Sequence, residues 1–109
     1  MPPTYETTIY CNRSEQKLKE IMKEAVEQYL SSNPRVYPVD RQDLSIALKT
    51  PSGNLAGGVM TVTVQDESFY IISKSVDSPR AKIGWGKNRN AVRDMCIYLE
   101  NAISHHNKQ

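Results

Sequence analysis

Between residues 18 and 30 the apolar side chains fall at Leu18, Ile21, Met22, Ala25, Val26, Tyr29 and Leu30. Spacings of three and four place them on one stripe of an α-helix, with Lys17, Lys19, Glu20, Lys23, Glu24 and Glu27 on the other face. The mixed signs describe a solvated face, not a basic groove. Asn12, with Glu15 three residues on, fits a capping pair at the start of this helix. Pro34 disfavours a helical Asn33, so the helix should end near residues 31–33. A second stripe passes through Val92, Met95, Cys96, Leu99, Ala102 and Ile103, and predicts a helix beginning at Asn88 or Asn90. The polar tail from Ser104 to Gln109 is expected to fray.

Four other segments read as strands. Tyr5–Cys11 is rich in β-branched and aromatic residues. Leu44, Ile46 and Leu48 alternate with polar or small residues, and Met60, Val62 and Val64 alternate with threonines. Phe69–Lys74 is a further strand, and residues 35–38 are a short extended piece. Thr50–Asn54 has the chemistry of a turn, and Gln65–Ser68 is a short connection. Tight connections between successive strands favour an antiparallel meander. The expected fold is α+β with the order β-α-β-β-β-α: a two-layer domain spanning residues 1–109, with both helices on one face of an antiparallel sheet.

Composition adds bounds. A hydrophobic content of 39% and a charged content of 24% are those of an ordinary globular chain. The net charge of +2 does not mark the whole chain as a nucleic-acid binder. Cys11 and Cys96 show no metal-ligand spacing, so no structural zinc is expected, and no cofactor; two reduced thiols are the expected state, with a disulfide between them the alternative. No apolar run reaches the roughly 18 residues needed to span a bilayer, and the N-terminal residues lack a signal pattern. The expectation is a cytoplasmic protein without membrane contact. Pairing of an edge strand across a two-fold axis leaves a homo-oligomer open.

The charge distribution is more informative than its sum. Ser73–Arg93 carries six bases (Lys74, Arg80, Lys82, Lys87, Arg89 and Arg93) against one acid, Asp77. Residues 1–45 nearly balance, with six bases and seven acids. The basic segment leaves an apolar strand, crosses a turn and enters a helix, and it holds Trp85 between Gly84 and Gly86. Free backbone N–H groups and the helix dipole favour anions at such a place. Arg80, Lys82, Trp85, Lys87, Asn88 and Arg89 are therefore the candidate anion- or partner-binding residues. Trp85 reads either as a stacking platform or as a cap on the core edge. Asn88 reads as a helix cap, and Arg89 either as a structural tie or as the partner of an acidic group. The spacing fits neither a Walker nor a dinucleotide-binding loop.

Signs of catalysis are weak. His105 and His106 are adjacent in the tail, and adjacent helical side chains point about 100° apart, so they read as histidines without a catalytic or metal role. Asp40, Asp43, Asp66 and Glu67 fall in expected turns, where acids serve local purposes. The chain is thus expected not to be an enzyme, but an interaction domain that meets an acidic protein or polyanion through the basic turn. Weak nucleic-acid binding by the same patch is the first alternative. The second is a small hydrophobic-ligand pocket lined by Met22, Val26, Tyr29, Met60, Val62 and Ile71.

Ser75, Ser78 and Arg80, followed by Gly86, Asn88 and Arg89, make up a segment that resembles a bacterial domain-of-unknown-function family, the one numbered fourteen ninety-nine. Its members carry a Ser-x-Ser-Arg segment and then Gly-x-Asn-Arg at a helix start. Here Pro79 stands between Ser78 and Arg80, and Ile83 and Gly84 replace the family's acidic position. The resemblance implies no activity.

Overall fold

The computed structural model describes residues 4–52, 55–75 and 85–107, with side chains described throughout these except at 51–56 and 85–87. In chain order the elements are β1 (Thr4–Tyr10), α1 (Glu15–Ser32), β2 (Tyr37–Arg41), β3 (Ser45–Ser52), β4 (Leu55–Gln65), β5 (Ser68–Ser75) and α2 (Trp85–Asn107). The five strands form one antiparallel sheet in the order β1-β5-β4-β3-β2. Strands β2 to β5 are a meander, and β1 joins its far edge by pairing with β5, Thr7 opposite Ile71. Both helices pack on the sheet and on each other, so the fold is α+β as expected.

The order β-α-β-β-β-β-α holds one strand more than the sequence predicts. All five residues of β2 are exposed, so this edge strand carries no alternating pattern to read. Backbone pairing with β3 defines it, and Pro38 is tolerated because an edge strand need not donate every N–H. The turn expected at Thr50–Asn54 is shorter, because pairing continues to Ser52 opposite Leu55 after a register shift. Between β4 and β5 only Asp66 and Glu67 turn the chain, with Glu67 in the left-handed region at φ 46°.

Helix α1 ends where the sequence reading places it, but its start and both ends of α2 differ. Ser14, not Asn12, caps α1, its Oγ accepting a hydrogen bond from the Lys17 amide at 3.2 Å. Asn12 and Arg13 lie in the connection itself, where the Cys11 amide donates to the Glu67 carbonyl at 2.9 Å. At the other end the Asn33 amide group donates to the Tyr29 carbonyl at 2.8 Å and stops the helix after Ser32. Helix α2 begins three residues before Asn88 and continues through Asn107, so the tail does not fray from Ser104.

The helix-covered face of the sheet is set by the two-residue period. Ile46, Leu48, Met60, Val62, Val64, Phe69 and Ile71 are all buried there, against Leu18, Ile21, Met22, Ala25, Val26 and Tyr29 of α1 and Val92, Met95, Leu99 and Ala102 of α2. Tyr29 and Tyr98 meet edge to face with ring centroids 5.5 Å apart, joining the two helices near their solvent side. The six residues offered as the lining of an alternative ligand pocket all belong to this packed core, filling it.

Candidate functional site

The same face turns polar at one end. Along β5 the inward positions are Phe69, Ile71, Ser73 and Ser75, so two hydroxyls follow two apolar groups into the interior. Asn88 of α2 meets both. The Ser73 hydroxyl donates to Asn88 Oδ1 at 2.8 Å, and Asn88 Nδ2 donates to Ser75 Oγ at 2.9 Å. Asn88 is only 4% exposed, so these bonds form away from competing water, where leaving either partner unpaired costs about 1–3 kcal/mol.

Gly58 makes room for this arrangement. It pairs with Ser75 across the β4–β5 ladder and with Thr50 across β3–β4. A Cβ at this position would lie 2.6 Å from the Lys74 carbonyl oxygen and 3.1 Å from Asn88 Oδ1. The Thr50 hydroxyl donates to the Gly58 carbonyl at 3.0 Å. The start of α2 is thereby fixed to the exit of β5.

Of the six residues singled out from the sequence, Arg80 and Lys82 lie outside the described residues. Trp85 and Lys87 occupy the first turn of α2, which contains no acidic residue. Asn88 is the buried link just described and sits inside the helix instead of capping it. Arg89 is half-buried, and Arg93, one turn further on, is exposed. Asn88 had a readable signal in the sequence, because Ser73 and Ser75 occupy core positions of a strand and require a polar partner.

A second polar group lies at the opposite end of α2, and the sequence reading missed it. Helices α1 and α2 run antiparallel, bringing Glu24 against His105 and His106. His105 Nδ1 is 3.0 Å and 3.2 Å from the two Glu24 carboxylate oxygens. His106 Nε2 is 3.5 Å from Glu24 Oε1. The Arg13 guanidinium also reaches the Asn107 side-chain carbonyl and holds the last turn. No local spacing could reveal this group, because Glu24 is 81 residues from His105. Glu24 also borders an open groove of about 470 Å³ between the helices, lined further by Glu27, Gln28, Ser31, Ser32 and Tyr98.

Titration properties follow burial. Desolvation pushes the Tyr29 hydroxyl up to about 12, with Asp94 and Tyr98 adding to the shift. Burial also raises the Cys96 thiol, and Glu100 raises it further. The Cys11 thiol is raised by burial and partly lowered by Arg13. Both cysteines are free, and both stay protonated thiols near neutral pH, poor nucleophiles and poor metal ligands. No described helix is long and apolar enough to cross a membrane.

No family model matches the chain, and no curated protein matches it significantly. The resemblance noted above rests on residues 75–80 and 86–89 alone.

Proposed function

We propose that this chain is a small, non-enzymatic interaction domain that receives an acidic partner or polyanion at the N-terminal end of α2. The observation that carries the reading is the concentration of six bases against one acid over Ser73–Arg93, leading into a helix whose first turn has no acid of its own. A local cluster of one sign draws an oppositely charged partner, and the helix dipole adds to it. In this reading Arg80, Lys82, Trp85, Lys87 and Arg89 meet the partner, while Asn88 locks the helix start to β5. Two free thiols fit a reducing compartment, and the protein is read as cytoplasmic.

The test is a titration with inorganic polyphosphate at low and moderate salt, using the wild type and Lys82→Glu/Lys87→Glu. Arg89 is left in place because it is half-buried and its reversal would disturb the fold. The variant should bind about tenfold or more weakly with an unchanged circular dichroism spectrum, and wild-type binding should fall as salt rises. Absence of wild-type binding, or equal binding by the variant, contradicts the proposal. Tighter capture of a nucleic acid than of polyphosphate, with a steeper salt slope, would favour the nucleic-acid alternative.

A further inference from the structure

Glu24, His105 and His106 present one carboxylate oxygen and two imidazole nitrogens that all lie within 4.8 Å of one another. From this geometry we infer that the three residues form a binding site for a first-row divalent transition-metal ion, with Zn²⁺ the best-matched probe. The donor set is nitrogen and oxygen of intermediate softness, which suits zinc and its neighbours better than calcium or magnesium. Ligands about 2.0–2.2 Å from a tetrahedral ion stand about 3.3 Å from one another. The separations of 3.0 Å from His105 Nδ1 to Glu24 Oε1 and 3.5 Å from His106 Nε2 to the same oxygen bracket that value. The two imidazole nitrogens lie within 4.8 Å of each other, and the rings are edge to face with centroids 5.7 Å apart.

A simple hydrogen-bonded tie between the helices accounts for His105 but not for His106. The His106 side chain is 9% exposed, and neither of its ring nitrogens has a hydrogen-bond partner. At 3.5 Å its Nε2 falls outside good hydrogen-bonding distance from Glu24. A buried imidazole left unpaired is costly, and a metal ion on Nε2 would remove part of that cost. The position suits a cation in two further ways. It lies in the last turn of α2, where the negative end of the helix dipole gathers. The side chains also grade from buried His106 through Glu24 (24% exposed) to His105 (58% exposed), so an ion held by three protein ligands would keep a solvent-facing position for water or another ligand. The sequence reading set these histidines aside because neighbours on a helix diverge. Here the divergence is bridged by a carboxylate from the other helix.

The experiment is calorimetric titration of the untagged full chain with zinc chloride, together with the visible spectrum of the Co²⁺-loaded protein and the same measurements on Glu24→Gln, His105→Ala and, as a control on the same helix, Glu27→Gln. The expected result is one ion per chain, a Co²⁺ spectrum of a nitrogen–oxygen site without a thiolate charge-transfer band, and a melting temperature raised by about 10 °C at a hundredfold excess over Kd. Glu24→Gln and His105→Ala should each weaken binding about a hundredfold or more, since even outer partners of a metal site cost 10–100-fold, while Glu27→Gln binds as the wild type. His105 and Glu24 are not fully buried, so these variants keep the fold, which circular dichroism checks. Affinity unchanged in both ligand variants, a thiolate band assigning the ion to Cys11 or Cys96, or no saturable binding would overturn the inference.

Discussion

At its N-terminal end α2 is fastened by neutral, buried hydrogen bonds from Asn88 to Ser73 and Ser75. At its C-terminal end it is fastened by ionisable groups, with His105 on Glu24 and Arg13 on Asn107. The first attachment joins helix to sheet. The second joins helix to helix and borders a groove carrying Glu24 and Glu27. On the two proposals, α2 offers opposite chemistry at its two ends, in the sense its dipole favours: bases for an anion at the start, and Glu24 with two imidazoles for a cation at the finish. The difference is one of environment: the first link is neutral and buried on both sides, while the second grades from a buried imidazole through a half-buried carboxylate to an exposed imidazole.

Substitutions at the two ends of α2 should differ in cost. Gly58→Ala should cost the most, about 3 kcal/mol by chemical denaturation. Its Cβ would press on the Lys74 carbonyl, which is backbone and cannot swing away, and on Asn88 Oδ1. Asn88→Ala should cost about 2 kcal/mol, because it strands the buried hydroxyls of Ser73 and Ser75; the loss should be non-additive with Ser73→Ala in a double-mutant cycle. If Asn88→Ala is as stable as the wild type, the buried link is not what fixes the helix start.

A third prediction concerns the middle of the helix pair. The folded state holds the Tyr29 proton up to about 12, whereas an unfolded tyrosine releases it near 10. The unfolded state therefore loses the proton first. Stability from this group is complete below about pH 10 and declines as pH rises towards 12. With allowance for solvent screening the decline is about 1 kcal/mol. Tyr29→Phe should show a correspondingly flatter stability profile over that range, and an identical profile would remove Tyr29 as the cause. The smallest effect is expected from His105→Ala without metal, about 0.5 kcal/mol, because a single exposed side-chain contact to Glu24 contributes little.

What could be read from the sequence follows how local each signal is. The stripe through Leu18, Met22, Val26 and Tyr29 and the alternation at Met60, Val62 and Val64 depend on neighbours within one element, and each appears in the core where expected. Strand β2 has no such pattern, because backbone pairing alone holds its exposed residues. The cap of α1 went to Ser14 over Asn12 because the Cys11 amide is already engaged by Glu67, which shifts the helix start along the chain. Asn88 was singled out for its place in a basic turn, but what fixes its side chain are two strand hydroxyls. His106 reads from the sequence as a tail histidine without a role, and nothing local announces that it is buried. Its burial depends on Glu24 and on the helix-to-helix packing, neither of which leaves a trace near residue 106.

The most direct test of opposite chemistry at the two ends of α2 is a backbone-amide NMR titration of the ¹⁵N-labelled chain, first with inorganic polyphosphate and then with Zn²⁺. The account predicts that polyphosphate moves the amides of residues 80–93 and leaves those around Glu24, His105 and His106 in place, while Zn²⁺ does the reverse. Shifts from both ligands at the same end, or no saturable shift from either, would contradict it.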